Sequence, residues 1–256
     1  MIFPLYIEKQ LDRVAKLIQS SRSGVIFTGA GISVPSGIPD FRSASTGLWN
    51  QFDPMAVASI SAFRNRPADF FGWLEPLVSR ILQAQPNAAH ISLAKLESAG
   101  FLKTIITQNI DGFHQKAGSK DVIELHGSLD ELFCPTCFSR FLMADYVESW
   151  LTKHILPECP TCKILLKPNI VLYEELLPPD IWEQAEIACD HADLMLVAGS
   201  SLEVMPAGSL PYRCVQNGTK LIIMNLSSTT LDLMADVLLP MDVAVALPEI
   251  CNRILA

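Results

Sequence analysis

No apolar run long enough to cross a bilayer occurs in the sequence, since a membrane-spanning helix needs about 18 such residues or more. Residues 1–10 include a proline and a glutamate and have no long apolar core, so they do not resemble a signal peptide. Basic residues are also scarce: 19 Lys and Arg stand against 27 Asp and Glu, a formal net charge of −8. No basic block is present, which argues against broad binding of nucleic acid or anionic membranes. We therefore expect a cytoplasmic protein with neither kind of partner.

Half of the 256 residues are hydrophobic, which predicts a globular chain with a substantial core. Short and almost purely apolar runs alternate with segments of helical spacing, as is typical of a parallel sheet covered on both faces. The predicted strands are residues 24–27, 103–107, 122–125, 194–198 and 221–224, and the predicted helices are 7–20, 88–99, 179–191, 207–215 and 243–255. The alternation predicts an α/β fold with a doubly wound, Rossmann-like parallel sheet.

Two segments interrupt this alternation, one rich in helix and one bearing cysteines. We predict a nucleotide-binding Rossmann-like domain from residues 1–42, 86–130 and 168–256. The smaller domain is predicted to consist of a helical insert, 43–85, and a zinc-ribbon insert, 131–167.

Four of the seven cysteines form two C-x-x-C pairs, Cys134 with Cys137 and Cys159 with Cys162. Each pair carries a turn-forming proline, and residues 138–158 separate the pairs, which matches a structural zinc site of four thiolates. Local disulfides or thioredoxin-like redox motifs are the alternative. The duplication of the pairs and the expected reducing compartment favour zinc. Because four protein ligands close such a site, it should stabilise the fold and take no part in chemistry.

Residues 24–43 begin like a dinucleotide-binding turn. After the apolar strand, Gly29, Ala30 and Gly31 supply the tight turn that lets backbone N–H groups approach a pyrophosphate. The G-x-G-x-x-G fingerprint requires a third glycine where this chain has Val34, and two prolines follow. The pattern predicts a phosphate-binding turn that leads into a kinked loop ending at residues 40–42.

Polar residues follow each of five predicted strands, at the sheet edge where open α/β folds bind ligands. One such cluster alone would be ordinary turn chemistry, but five together favour a shared, extended nucleotide site. The clusters are Thr28–Gly31, Gln108–Asp111, His126–Gly127, Gly199–Ser201 and Asn225–Ser227.

The ordered motifs resemble those of sirtuins, the NAD-dependent protein-lysine deacylases. They are GAGISVPSGIPDFR, TQNIDGFH, HG, the paired C-x-x-C, GSSLEVMPA and NLS, and they span residues from about 11 to 243. Each motif alone is modest, whereas the ordered set is specific. The resemblance implies that NAD is a co-substrate whose nicotinamide is released, that acyl-lysine proteins are the partners, and that the zinc is structural.

The resemblance also implies roles for individual residues. His126 and Asn109 would be catalytic: His126 as general base at the ribose hydroxyls, and Asn109 orienting the ribose and a water. Asp111 would accept the nicotinamide carboxamide, Phe41 would shield the ribose after nicotinamide leaves, and Arg42 would pair with phosphate. The implied NAD-binding residues are Gly29, Ala30, Gly31, Val34, Asp40, Phe41, Arg42, Gln108, Asn109, Ile110, Asp111, His126, Gly199, Ser200, Ser201, Asn225, Leu226 and Val243.

By the same resemblance, two segments would sandwich the substrate backbone by strand addition. Sirtuins usually have glycine where Glu174 stands, and a glutamate there adds bulk and charge beside the peptide. We expect it to favour peptides with Lys or Arg flanking the acyl-lysine. The implied peptide-binding residues are Val171, Leu172, Tyr173, Glu174, Leu202, Glu203 and Val204.

The absence of one motif limits the kinds of acyl group that we expect. Sirtuins that prefer succinyl- or malonyl-lysine carry a Tyr-x-x-Arg pair in the helical insert, which binds the acyl carboxylate. Here Leu74 and Leu77 align with the two positions, and Tyr-x-x-Arg occurs nowhere in the chain. Because an unpaired buried carboxylate is costly, we expect an apolar channel and neutral acyl groups.

Two other function classes stay open at this point. In an ADP-ribosyltransferase a protein side chain attacks the same ribose carbon, and the sequence allows this as a side activity. A non-catalytic NAD-sensing module needs neither Asn109 nor His126, so the presence of both argues against it. We also expect the protein to be a monomer.

Overall fold

The computed structural model describes residues 3–40, 47 and 50–256. At its centre lies a six-stranded, wholly parallel sheet. The strands, numbered in chain order with those of a second sheet, are β1 (Gly24–Thr28), β2 (Thr104–Thr107), β3 (Val122–Glu124), β7 (Leu194–Ala198), β8 (Lys220–Met224) and β9 (Val237–Leu239). Their order across the sheet is β3-β2-β1-β7-β8-β9. The sheet reverses its winding at β1 and β7, as the doubly wound α/β prediction requires.

Helices cover both faces of this sheet, because alternate strand residues point to opposite sides. Ile26 belongs to a buried cluster with α1 (Leu5–Ser20), α5 (Ala88–Ser98) and α10 (Val243–Leu255). Val25 and Phe27 belong to a second cluster, with α8 (Pro179–Asp190) and α9 (Leu210–Gln216). The unbroken apolar runs in the sequence thus follow from burial on both faces.

The two predicted inserts pack together as one smaller unit. The helical insert contains α2 (Pro54–Val57), α3 (Ile60–Asn65) and α4 (Pro67–Gln83), and the cysteine segment contains α7 (Ala144–Lys153). One buried cluster joins them, with the Phe71 and Trp150 rings edge to face at 5.3 Å between centroids. An antiparallel sheet of order β5-β4-β6 completes the unit, from β4 (Gly127–Phe133), β5 (Arg140–Leu142) and β6 (Lys167–Ile170). The exact domain boundaries stay a prediction.

The structure adds elements that the sequence did not predict. Strand β9 extends the sheet beyond β8, and a short helix, α6 (Phe113–Ala117), follows β2. The predicted helix 207–215 begins as a 3-10 turn at Ala207–Ser209 before α9. The segment after β6 does not form a regular strand, although Tyr173 forms an isolated parallel bridge with Ser59. Across the described residues, every helix is too short or too polar to span a bilayer.

Candidate active site

A cleft of about 800 Å³ opens at the carboxyl edge of the large sheet. It is lined by residues from the loops after β1, β2, β3, β7 and β8, which the parallel topology brings to one edge. Phe41 and Arg42 lie outside the described residues. Every other residue of the predicted NAD set lines this cleft: Gly29, Ala30, Gly31, Val34, Asp40, Gln108, Asn109, Ile110, Asp111, His126, Gly199, Ser200, Ser201, Asn225, Leu226 and Val243.

Two glycines allow the loops after β1 and β7 to touch. Gly31 N donates to Gly199 O at 2.8 Å, and a Cβ on Gly31 would lie only 2.7 Å from that oxygen. Gly199 has a φ of +66°, and a Cβ there would approach Ile32 N to 2.3 Å. Glycine is therefore required at both positions for steric reasons, and the backbone forms a tight concave turn at the phosphate end of the predicted nucleotide site.

Asn109 and Asp111 are held in place by a buried serine that the sequence analysis did not single out. Asn109 Nδ2 donates to Gly29 O at 3.1 Å and to Ser33 Oγ at 3.2 Å, and Ser33 Oγ donates to Asp111 Oδ2 at 2.6 Å. Burial raises the pKa of Asp111, and the hydrogen bonds from the Ser33 hydroxyl and the Phe113 N–H oppose this rise in part. Ser33 lies two residues beyond the glycine turn, a spacing that a search for the dinucleotide fingerprint passes over.

The imidazole of His126 has a fixed orientation. Its Nδ1 lies 2.9 Å from Gln108 O. Because a carbonyl oxygen only accepts, Nδ1 must carry the hydrogen, and Nε2 of the neutral ring is the basic nitrogen. Gln108 in turn donates from Nε2 to Ser200 Oγ at 2.9 Å, which connects the loops after β2 and β7. This arrangement suits a general base that lines the cleft.

Both predicted peptide segments reach the same cleft, with one exception. Leu202 has a φ of 61° and is 2% exposed, and its side chain packs in the core between the sheet and α9. It shapes the turn and does not line the cleft, a difference that arises because the alternating pattern of a strand does not apply to a turn. The remaining predicted residues line the cleft: Val171, Leu172, Tyr173, Glu174, Glu203 and Val204.

An apolar part of the cleft extends toward the helical insert. Ala58 and, from α4, Trp73, Leu77 and Ile81 line it. Leu74, the other position of the missing Tyr-x-x-Arg pair, is fully buried and lies outside this lining. Of the described lining residues, none is lysine or arginine.

The four paired cysteines form the predicted metal cluster. Their Sγ atoms all lie within 4.8 Å of one another, and the structure has them as free thiols. Cys134 Sγ accepts from Cys137 N at 3.5 Å, and Cys159 Sγ accepts from Cys162 N at 3.4 Å, so each pair forms the same knuckle. Four converging sulfurs fit a structural zinc ion, since Zn–S bonds of about 2.3 Å in a tetrahedron place the sulfurs about 3.8 Å apart, within this limit.

Comparisons with known proteins agree with this geometry. A sequence model of the Sir2 family matches residues 29–206. The chain is 40% identical to the NAD-dependent protein deacylase 2 of Archaeoglobus fulgidus over 97% of each protein. It is 44% identical to the NAD-dependent protein deacetylase of Thermotoga maritima, over 89% of this chain and 91% of the relative.

Solved structures give the same result. A Sir2 structure with a deacetylated p53 peptide and 3′-O-acetyl ADP-ribose has a TM-score of 0.89 and 40% identity, over 95% of this chain and 98% of the other. A Sir2 structure bound to a myristoylated histone peptide has a TM-score of 0.83 and 35% identity, over 96% and 97% of the two chains.

Proposed function

The chain belongs to the Sir2 family, and on that basis we propose that it is an NAD-dependent protein-lysine deacylase. It transfers the acyl group from lysine to ADP-ribose and releases nicotinamide and O-acyl-ADP-ribose. The observation that carries the proposal is the position of His126, whose Nδ1 is held by Gln108 O, in one cleft with the glycine turn and the apolar channel. NAD and the acyl-lysine would both reach this histidine.

We assign a separate role to each group of residues in the cleft. The turn at Gly29–Gly31 offers backbone N–H groups to the diphosphate, and Asn109 and Asp111 lie on the Ser33 network, where they would orient the ribose and the nicotinamide amide. His126 would take a proton from a ribose hydroxyl through Nε2. The segment 171–174 would hold the peptide. Val171 N donates to His126 O at 2.8 Å, and this bond would fix the distance between the bound peptide and the base.

The test is one incubation of the purified protein with NAD and an acetyl-lysine peptide, followed by mass spectrometry. We expect deacylated peptide, nicotinamide and O-acetyl-ADP-ribose in equal amounts. ADP-ribose attached to the peptide, with the acetyl group retained, would instead identify an ADP-ribosyltransferase. NAD binding with no product would identify the non-catalytic module.

The acyl channel gives a prediction about substrate choice. On one peptide backbone, kcat/KM for acetyl-lysine should exceed that for succinyl-lysine by about 100-fold or more, because an unpaired buried carboxylate costs several kcal/mol. The described lining offers no cation to pair with the carboxylate. Leu77→Arg places a cation on this lining and should raise the ratio of succinyl to acetyl turnover. A succinyl preference in the wild type would contradict the assignment of the channel.

Acidic residues at the cleft give a second prediction, on flanking residues. Glu174 and Glu203 line the cleft, one in each predicted peptide segment. Peptides with Lys or Arg beside the acyl-lysine should react about 2- to 5-fold better than acidic-flanked peptides at low salt, because exposed ion pairs contribute little each. The difference should shrink at high salt. Equal rates on both peptides at low salt would argue against a charge effect.

A further inference from the structure

Glu174 has a backbone conformation that is uncommon for a glutamate. Its φ is 72°, in the left-handed region where glycine is favoured, which agrees with the usual glycine at this position in the family. The chain nevertheless carries a side chain here, at the edge of the cleft. A residue held in this region indicates that the surrounding contacts compensate for the backbone strain.

The carboxylate of Glu174 makes a contact that glycine could not make. Oε2 accepts a hydrogen bond from Ser61 N at 2.9 Å, across 113 positions of sequence. This N–H belongs to the first turn of α3, where backbone donors lack intrahelical acceptors. Hydrogen bonding from the Ser61 side chain, and then from its backbone N–H, lowers the pKa of Glu174 below its usual value, so the carboxylate stays ionised at neutral pH. One of its oxygens is therefore engaged with the helical insert.

The preceding residue, Tyr173, is also joined to the helical insert, through backbone hydrogen bonds. Tyr173 N donates to Ala58 O at 3.0 Å, and Ile60 N donates to Tyr173 O at 3.1 Å. Together with the Glu174 bond, three contacts join residues 173–174 to residues 58–61.

A further contact anchors the segment at Leu172. Glu175 Oε2 accepts from Leu172 N at 2.9 Å and pairs at 2.9 Å with Lys167 Nζ, whose side chain is 5% exposed. The peptide segment is thus joined to β6 through the half-buried Lys167–Glu175 ion pair and to the start of α3 through residues 173–174. Among these anchors the Glu174 bond is the exposed one, and a single substitution removes it.

We propose that Glu174 is a positioning residue for the peptide substrate, in addition to any effect of its charge. By accepting the Ser61 N–H, it holds the peptide segment 171–174 against the helical insert before substrate binds. Peptide binding then costs less conformational entropy, because this segment is already ordered. The proposal rests on the deacylase function proposed above, and it places the role of Glu174 in peptide affinity, separate from NAD binding and from proton transfer.

Three substitutions of Glu174 separate the effect of its hydrogen bond from the effect of its charge. Glu174→Gln keeps an acceptor oxygen but removes the charge, Glu174→Ala removes both, and Glu174→Gly removes both while relieving the backbone strain. With a neutral-flanked peptide, we expect peptide KM to stay within about twofold of wild type in the Gln variant and to rise about 3- to 10-fold in the Ala and Gly variants. In all three, kcat and KM for NAD should change less than about twofold.

Hydrogen exchange of the free protein tests the contact without any reaction. The Ser61 amide should exchange about 3- to 10-fold faster in the Ala and Gly variants than in wild type, with the Gln variant between them. Asp180→Asn is the matched control, because it removes an exposed acidic charge from the first turn of α8. It should change neither peptide KM nor Ser61 exchange.

The outcomes distinguish this proposal from the function on which it rests. A peptide KM raised equally in the Gln and Ala variants would show that Glu174 acts through charge alone, and a wild-type KM in both would show that it has no role in peptide affinity; either result would overturn the positioning role. A Gly variant with wild-type KM and unchanged Ser61 exchange would overturn it as well. If the wild type deacylates no peptide, the proposed function fails, while the exchange measurement still decides whether Glu174 holds Ser61.

Discussion

Replacing His126 by alanine should lower kcat for deacylation by about 100- to 10,000-fold, the usual contribution of a positioned general base. The affinity for NAD should change by less than about threefold, because the glycine turn and the Ser33 network are separate contacts. The His126 ring donates from Nδ1 to Gln108 O, and the lost group is the basic Nε2. Single-turnover deacylation and calorimetric NAD binding measure the two effects separately.

Two further variants make the result specific to proton transfer. His126→Asn keeps an N–H donor for Gln108 O but has no basic nitrogen, so it should be nearly as inactive as alanine. His191→Ala is the matched control, because this exposed imidazole also lies with Nδ1 at 2.8 Å from a backbone oxygen, that of Ile187, and does not line the cleft. It should retain full activity. Near-normal turnover of either His126 variant would exclude His126 as the base.

The central sheet could be predicted because its strands are buried on both faces. The runs at 194–198 and 221–224 contain almost only apolar residues, and they coincide with β7 and most of β8. Strand β9 was not predicted, whereas β3, which also has three residues, was predicted from the apolar run at 122–125. The antiparallel strands β4 and β5 also escaped prediction, because turns and metal ligation determine this part of the chain more than hydrophobic alternation does.

The site residues that directly follow strands could be predicted from the sequence. Those whose positions depend on loop geometry could not. Parallel strands must bring Gln108–Asp111, His126 and Gly199–Ser201 to one edge, so their proximity follows from the topology. Ser33 and the Ser61–Glu174 bond depend on tertiary contacts between distant segments. Leu202 turns into the core through a positive φ that no local pattern in the sequence indicates.

Removing the zinc should destabilise the smaller unit first. Structural zinc contributes directly to the free energy of folding, and loss of a structural metal belongs to the largest single-site effects. For Cys134→Ala we expect a fall in Tm of about 8 to 16 °C, as for a loss of about 4 kcal/mol in a chain of this size. Buried Cys134 and Cys159 share one hydrophobic cluster with Phe71 and Trp150. The helical insert should therefore loosen with the cysteine segment, and peptide binding should weaken before NAD binding does.

Elemental analysis and calorimetry check this together. The folded, reduced wild type should hold one zinc per chain, and Cys134→Ala or Cys159→Ala should hold much less. Cys251→Ala is the matched control, since Cys251 is 4% exposed in α10 and lies outside the four-cysteine cluster. It should lower Tm only slightly, because loss of one small buried group costs on the order of 1 kcal/mol, and it should keep the full zinc content. Folded, reduced wild type without zinc would show that the four thiols stabilise the unit by packing alone. Equal Tm losses in Cys134→Ala and Cys251→Ala would likewise assign the effect to the lost side chain, because only the first variant removes a metal ligand.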